Sequence, residues 1–255
     1  MFKYKKRLSQ NFLIDNNIKN NILQKFNITN KKIVIEIGPG NGSITQHLAK
    51  MSSKMFLIEI DNTLISELKT QFKDNANIFI YHDDILKFNL NKLFNLYSDI
   101  RIFGNIPYKI STKIILLLLK YITYIYDIHL IVQDDIYKRL NCENKTYSFL
   151  QLIILYNFEI KYFFTIKPTS FFPAPKILSC FIRLKPKKNK TYILNYNYFK
   201  YFLKFFFKNK RKKIYKSVLQ LIYLNKYFDL NERPESFSLN EYIRLFNLIY
   251  ISKID

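Results

Sequence analysis

The sequence predicts an α/β fold: a mostly parallel sheet with helices between its strands, followed by a small C-terminal all-helical domain. Three observations carry this. Short apolar runs alternate with helically patterned segments from residue 33 to residue 133. Three of the chain's 4 glycines fall in one stretch, "EIGPGNG" at 36–42, at the end of the first apolar run. Beyond Pro186, apolar residues recur at helical spacing.

The elements follow in order. "IVIEI" (33–37) is a continuous apolar run stopped by glycine, the pattern of a buried parallel strand, and a helix follows the glycine turn. "MFLIEID" (55–61) is a second strand, with a helix over 62–72. "NIFIYHDD" (77–84) is a third strand and "DIRIFGN" (99–105) a fourth, leading into a helix over "STKIILLLLKY" (111–121). "DIHLIVQ" (127–133) is a fifth strand. "EIKYFFTI" (159–166) and "ILSCFIRLK" (177–185) read as an antiparallel pair joined by a proline-containing loop. "PKKNKTYILN" (186–195) reads as a linker, which sets an α/β domain at 1–186 and a helical domain at 187–255. In the latter, Ser238 followed three positions on by Glu241 is a capping-box signal for the last helix.

Composition narrows the partner. The chain of 255 residues carries 41 Lys and Arg against 19 Asp and Glu, a formal charge of +22. A surface this positive favours a polyanion, above all nucleic acid. Abundant Lys, Asn and Ile with few Gly, Ala and Pro suggest an AT-rich genome, so each glycine or proline that survives has a backbone reason to be there. Cys142 and Cys180 form no CxxC, and His47, His82 and His129 have no metal-ligand spacing, so neither a disulfide framework nor a metal is expected. The apolar run at 114–119 is too short to span a bilayer, and the basic start lacks the apolar core of a secretory signal. The expectation is a cytoplasmic protein with no membrane partner.

The glycine cluster points to a nucleoside cofactor. Its G-x-G-x-G spacing after an acid is neither the dinucleotide fingerprint nor a P-loop, which ends in Lys and Ser or Thr. Glycines at a strand's end let the backbone turn sharply and a ligand come close, here at Gly38 and Gly40. Glu59 ends the second strand and can accept hydrogen bonds from two ribose hydroxyls. Asp84 follows the third strand and can accept from an adenine amine, with Asp83 as its rival. Acids at successive strand ends without phosphate-binding features favour S-adenosylmethionine over a dinucleotide.

"FGNIPY" (103–108) ends the fourth strand on the same sheet edge and holds the fourth glycine, Gly104. Pro107 fixes φ and has no N–H, so it keeps nearby carbonyls out of sheet pairing. The Asn105 side chain, with the carbonyl of Ile106 or of Pro107, can accept both hydrogens of an exocyclic amine, and Tyr108 can stack on its base. Adenine N6 is a poor nucleophile because its lone pair is delocalised. Two acceptors would hold it in place and stabilise the positive charge that develops on it.

Together "SQNFL" (9–13), "EIGPGNG", "IEID" (58–61), "DD" (83–84), "FGNIPYKIS" (103–111), "FFPAPKILS" (171–179), "KRKK" (210–213) and "RPESFS" (233–238) occur in family order, and the chain resembles the ribosomal RNA adenine N6,N6-dimethyltransferases. The resemblance covers almost the whole chain. It implies a Rossmann-like class I S-adenosylmethionine-dependent methyltransferase domain with a small C-terminal helical domain. It implies transfer of methyl groups to two adjacent adenosines near the 3′ end of small-subunit rRNA, within an immature small ribosomal subunit; the sequence itself suggests a monomer. By motif, Asn11, Leu13, Gly38, Gly40, Glu59, Asp84 and Asn105 would line the cofactor site, which chooses Asp84 over Asp83. Asn105, Pro107 and Tyr108 would hold the adenine, with Phe171 stacking on its other face.

The chain departs from the family pattern at Ser9, Lys109, Asp134, Asp135, Ser148 and Phe149. Two rivals share part of this logic: the erythromycin-resistance methyltransferases that modify a large-subunit adenine, and non-catalytic nucleic-acid-binding relatives. Pro39, "KRKK" and "RPESFS" weigh against the first, and intact Gly38, Glu59, Asp84 and Asn105 against the second.

Overall fold

Strand and helix alternate through a seven-stranded sheet in a computed structural model that describes residues 10–28, 32–141, 146–208, 213–214, 228–229 and 231–251. Its strands are β2 (Ile33–Ile37), β3 (Lys54–Glu59), β4 (Ile78–His82), β5 (Ile100–Asn105), β6 (Ile125–Gln133), β7 (Phe158–Ile166) and β9 (Ser179–Pro186). Their order is β4-β3-β2-β5-β6-β9-β7. The first five pair in parallel, and β9 runs antiparallel to β6. The chain builds outward from β2 through β3 to β4, then restarts on the other side of β2 at β5. The crevice between the carboxyl ends of β2 and β5 is therefore the switch point where open α/β sheets take ligands. A two-stranded ribbon of β1 (Phe12–Leu13) and β8 (Phe171–Phe172) stands apart from this sheet.

β2, β3, β5 and β6 are buried along nearly their whole length, while the edge strand β4 is only partly covered. α1 (Asn16–Phe26), α2 (Thr45–Met51), α3 (Asn62–Gln71), the short α4 (Asn91–Phe94) and α5 (Ser111–Leu119) cover them. One core cluster joins Ile22 and Phe26 of α1, Leu48 of α2, Val34, Leu57 and Phe103 of the strands, and Phe181 of β9. α1 starts at Asp15, whose carboxylate accepts from the N–H of Asn17 and Ile18. α3 starts the same way at Asp61, which therefore caps the helix instead of continuing β3.

α6 (Asp134–Asn141), α7 (Phe149–Asn157), α8 (Tyr196–Lys208) and α9 (Leu239–Ile251) complete the described helices. The capping box forms at α9: Ser238 donates its N–H to Glu241 Oε2 at 2.7 Å, and the Glu241 N–H points back to Ser238 Oγ at 3.4 Å. The chain divides into two compact units, residues 1–137 with 159–186, and 138–158 with 187–255. One boundary falls after Pro186, and α7 groups with the C-terminal helices. Cys142, Ser9 and most of "KRKK" lie outside the described residues. No described helix is long and apolar enough to cross a membrane.

Candidate functional site

A cavity of about 300 Å³ opens at the carboxyl ends of the parallel strands. Its wall takes one piece from each strand end: Gly38 and Gly40 after β2, Glu59 and Ile60 from β3, Asp83 to Leu86 after β4, and Asn105 to Pro107 from β5. Gln10 to Leu13 close it from the N-terminal side. Eight residues anticipated from the motifs meet here, Asn11, Leu13, Gly38, Gly40, Glu59, Asp84, Asn105 and Pro107, with the rival Asp83 beside Asp84.

Backbone geometry explains the glycines. Gly38, Gly40 and Gly42 have φ of +66°, +60° and +73°, a region that side chains rarely adopt. At Gly40 a Cβ would also meet the Phe12 ring at 3.2 Å, so the N-terminal ribbon rests directly on the glycine loop.

Glu59 is gripped by backbone. Its Oε1 accepts from the N–H of Ile60 and Asp61, both at 2.9 Å, and its Oε2 from the Gly40 N–H at 3.2 Å. This fixes the carboxylate plane and couples the end of β3 to the glycine loop. Burial raises its pKa, against the hydrogen bonds from Asp61, Gly40 and Ile60.

Glu36 shares the cavity and was not anticipated as a site residue. Full burial pushes its carboxyl up to about 8, with Thr45 Oγ1 donating to Oε2 at 2.7 Å in opposition. Burial thus favours its protonated form. The signal was available in the sequence: an acid inside an otherwise apolar strand, two positions before the first glycine.

Gln10 was also missed, and its Nε2 donates to Asp61 Oδ2 at 2.8 Å. This bond ties the N-terminal segment to the cap of α3. No local pattern could have paired residues 51 positions apart.

At Asp84, Leu86 N–H donates to Oδ1 at 2.9 Å, while Asp83 Oδ1 accepts from the Asp84 N–H at 2.7 Å. Both acids thus brace the turn after β4. Each carboxylate has a second oxygen with acceptor capacity.

Asn105 is set for acceptance. Its Nδ2 donates to the Asn11 carbonyl at 2.9 Å. Since the amide is planar, committing the nitrogen there leaves Oδ1 as its acceptor end. The Pro107 carbonyl accepts from the Ile110 N–H at 3.1 Å and from Ser111 Oγ at 3.4 Å, so it opens the following helical segment. The side chain of Tyr108 lies outside the described residues.

Phe171 departs from expectation. It pairs with Leu13 in the β1–β8 ribbon, is only 3% exposed and belongs to the core cluster rather than to the cavity wall. The cause is area: a Phe beside Leu13, Ile166 and Phe181 gains most by packing inward. In this arrangement its ring packs among core side chains. Its neighbour Phe172 is the one turned outward, 52% exposed.

A family model for ribosomal RNA adenine dimethylase matches residues 1–248. The chain belongs to the ribosomal RNA adenine dimethylase family. Within it, the chain is 34% identical to a ribosomal RNA small subunit methyltransferase A of Francisella tularensis subsp. novicida, over 97% of this chain and 98% of that protein. The family fold is equally clear. A dimethyladenosine transferase from Plasmodium falciparum superposes with a TM-score of 0.76 at 24% identity, covering 95% of this chain and 98% of that one. The 23S rRNA methyltransferase ErmE superposes at 0.78 with 21% identity, covering 92% and 98%. The chain is thus an rRNA methyltransferase of this family with a class I methyltransferase fold, and the cavity lies where that fold's switch point predicts a ligand.

Proposed function

We propose that the protein transfers methyl groups from S-adenosyl-L-methionine to N6 of two adjacent adenosines near the 3′ end of small-subunit (16S) rRNA. The products are N6,N6-dimethyladenosines, formed while the small subunit is still immature. The observation that carries the reading is Asn105, its amide oriented by Asn11 on the wall of the cavity that also holds Gly38, Glu59 and Asp84.

The residues present fit the cofactor. The cavity volume of about 300 Å³ lies at the lower end of small-molecule sites. Glu59 offers a fixed carboxylate for ribose hydroxyls, and Asp84 an oxygen for an amine. Ile60 and Ile85 add apolar faces beside those acids. Asn11, Leu13, Gly38 and Gly40 would close the rest of the site. When bound, the cofactor supplies an electrophilic methyl group.

The chain's own residues prepare the acceptor. Asn105 Oδ1 accepts one N6–H. The Ile106 carbonyl is the better second acceptor, because Pro107's already takes two donors at the start of the next segment. Together they orient N6 and stabilise its developing positive charge, so no side-chain base is needed before transfer, and the methylated nitrogen then releases its proton to solvent. Tyr108 would supply the platform for the base. No metal enters this chemistry.

Relatives that are small subunit methyltransferases support the small subunit as substrate, while the fold is shared with the 23S rRNA methyltransferase ErmE. We take the enzyme to act in the cytoplasm as a monomer. Primer extension across the two adenosines, with purified protein and unmethylated small subunits, should show new stops that require S-adenosylmethionine. Asn105→Ala should lower transfer at least about 100-fold, the usual loss for one preorganised polar partner. RNA affinity should change little. Full activity in that variant, or a product only on large subunits, would overturn the proposal.

A further inference from the structure

The solvent face of α8 is unlike the usual charged back of an amphipathic helix. Its buried stripe is Phe199, Leu203 and Phe206. On the outside stand Tyr198, Tyr201 and Phe205, 60%, 70% and 49% exposed. Their spacing of three and four residues aligns them along one side. Single exposed aromatics are ordinary, but a contiguous row marks an interaction surface. Lys200, Lys204 and Lys208 recur every fourth residue beside that row, and α8 contains no Asp or Glu. Rings and ammonium groups thus interleave along the whole helix.

Charge and chemistry select the occupant. A protein partner for a face of exposed rings would be expected to present apolar surface, and a lysine stripe on a helix without acids opposes most such partners. Unpaired RNA satisfies both stripes together: its phosphates pair with the lysines and its bases present π-faces to the rings. Successive rings lie roughly 4.5 to 6 Å apart along the helix axis, room for bases splayed out of a stack. A regular duplex keeps its bases inside and could use only the lysines.

We propose that the exposed face of α8 is a stacking platform for an unpaired segment of rRNA, distinct from the cavity that accepts the target adenine. The proposal rests on the rRNA-methyltransferase reading for the identity of the RNA, and on the α8 residues alone for its unpaired state.

The test uses the full chain, with fluorescence anisotropy on a short unpaired RNA and on a blunt RNA duplex of equal length. Replacing Tyr198 and Tyr201 by Ala should weaken unpaired RNA about tenfold and leave the duplex nearly unchanged. The salt slope should stay the same, because no charge is removed. The Tyr→Phe pair should bind as the wild type does. A Tyr→Leu pair, which keeps apolar bulk without a π-face and guards against a folding artefact, should fail as Ala does. Lys204→Gln with Lys208→Gln should weaken both RNAs and flatten the salt slope.

Equal loss on both RNAs from the Tyr→Ala pair, or no loss, would overturn the platform. Primer extension with the wild type runs in parallel. If no methyl reached small subunits while the Tyr→Ala discrimination held, the methylation reading would fall and the platform would stand.

Discussion

At the scale of single residues, Gly104 shows how tightly the site is built. It pairs with Ile37 of β2 on one side and Leu130 of β6 on the other. A Cβ there would meet Ile106 Cγ2 at 2.8 Å and the Ile37 carbonyl oxygen at 3.2 Å. The backbone oxygen is fixed in the sheet, so the strand would have to move, and Asn105 with it. Gly104→Ala should destabilise the protein by about 1–3 kcal/mol, read from the urea midpoint, and lower transfer more than that loss explains. Glu36 gives a second residue-level expectation. Its carboxyl sits near 8 in the folded chain against 4.5 ordinarily, so between those values the folded state holds a proton that the unfolded state has released. Its contribution to stability is full below about 4.5 and is lost as pH rises to about 8. Glu36→Gln should remove that decline. A variant whose urea midpoint follows the wild-type pH curve throughout this range would refute it.

At the scale of elements, the sheet was legible in the sequence because its parallel strands are continuous apolar runs punctuated by rare glycines and acids. Glu59 and Asn105 stand at strand ends and Asp84 just past one, where period and boundary coincide. What stayed hidden was amphipathic without being apolar, apolar without a polar face, or paired at long range. α1 is half Asn and Lys, and only Ile22 and Phe26 are buried. α7, apolar along nearly its whole length, has no face to reveal its period. The β1–β8 ribbon pairs two-residue strands that no window could match, and Phe171 followed from that pairing into the core. α1 is held by a network that local reading could not find either. Arg101 at the start of β5 makes two bonds of 2.8 Å to Asp127 of β6 and one of 2.9 Å to the carbonyl of Asn27, the C-cap of α1. Burial alone would raise the Asp127 pKa, but hydrogen bonds from His129 and Arg101 outweigh it and hold the carboxyl at about 2. Asp127→Asn leaves Arg101 buried without its counter-charge and should cost about 3–5 kcal/mol at neutral pH. The folded carboxylate ionises below its ordinary 3.8, so its contribution is present above that value and lost as pH falls toward 2. The gap between variant and wild type should close over that interval in acid denaturation.

At the scale of the whole molecule, the chain crosses between its two compact units three times, after residues 137, 158 and 186. The middle excursion brings α7 into the second unit. There Asn157 Nδ2 donates to Tyr196 Oη at 2.7 Å, the Lys187 N–H donates to the Asn157 carbonyl at 2.9 Å, and the Tyr156 and Tyr196 rings stack at 5.1 Å. Tyr147 N–H reaches the Glu235 carbonyl at 2.8 Å, just ahead of α7. Leu152, Ile153 and Ile154 are buried in the full chain. A protein cut after Pro186 keeps α7 and deletes the helices that it packs with. Its apolar side chains would then face water, and at roughly 1.5–3 kcal/mol for each large aliphatic group the cheapest relief is self-association. Residues 1–186 should therefore aggregate on size-exclusion chromatography. Replacing 138–157 in that fragment by a short Gly/Ser linker should restore a monomer, because β7 and the pairing order of the seven-stranded sheet are kept. If the simple truncation were the better-behaved of the two, α7 would belong with the sheet, and the catalytic unit would be the unbroken segment that ends at Pro186.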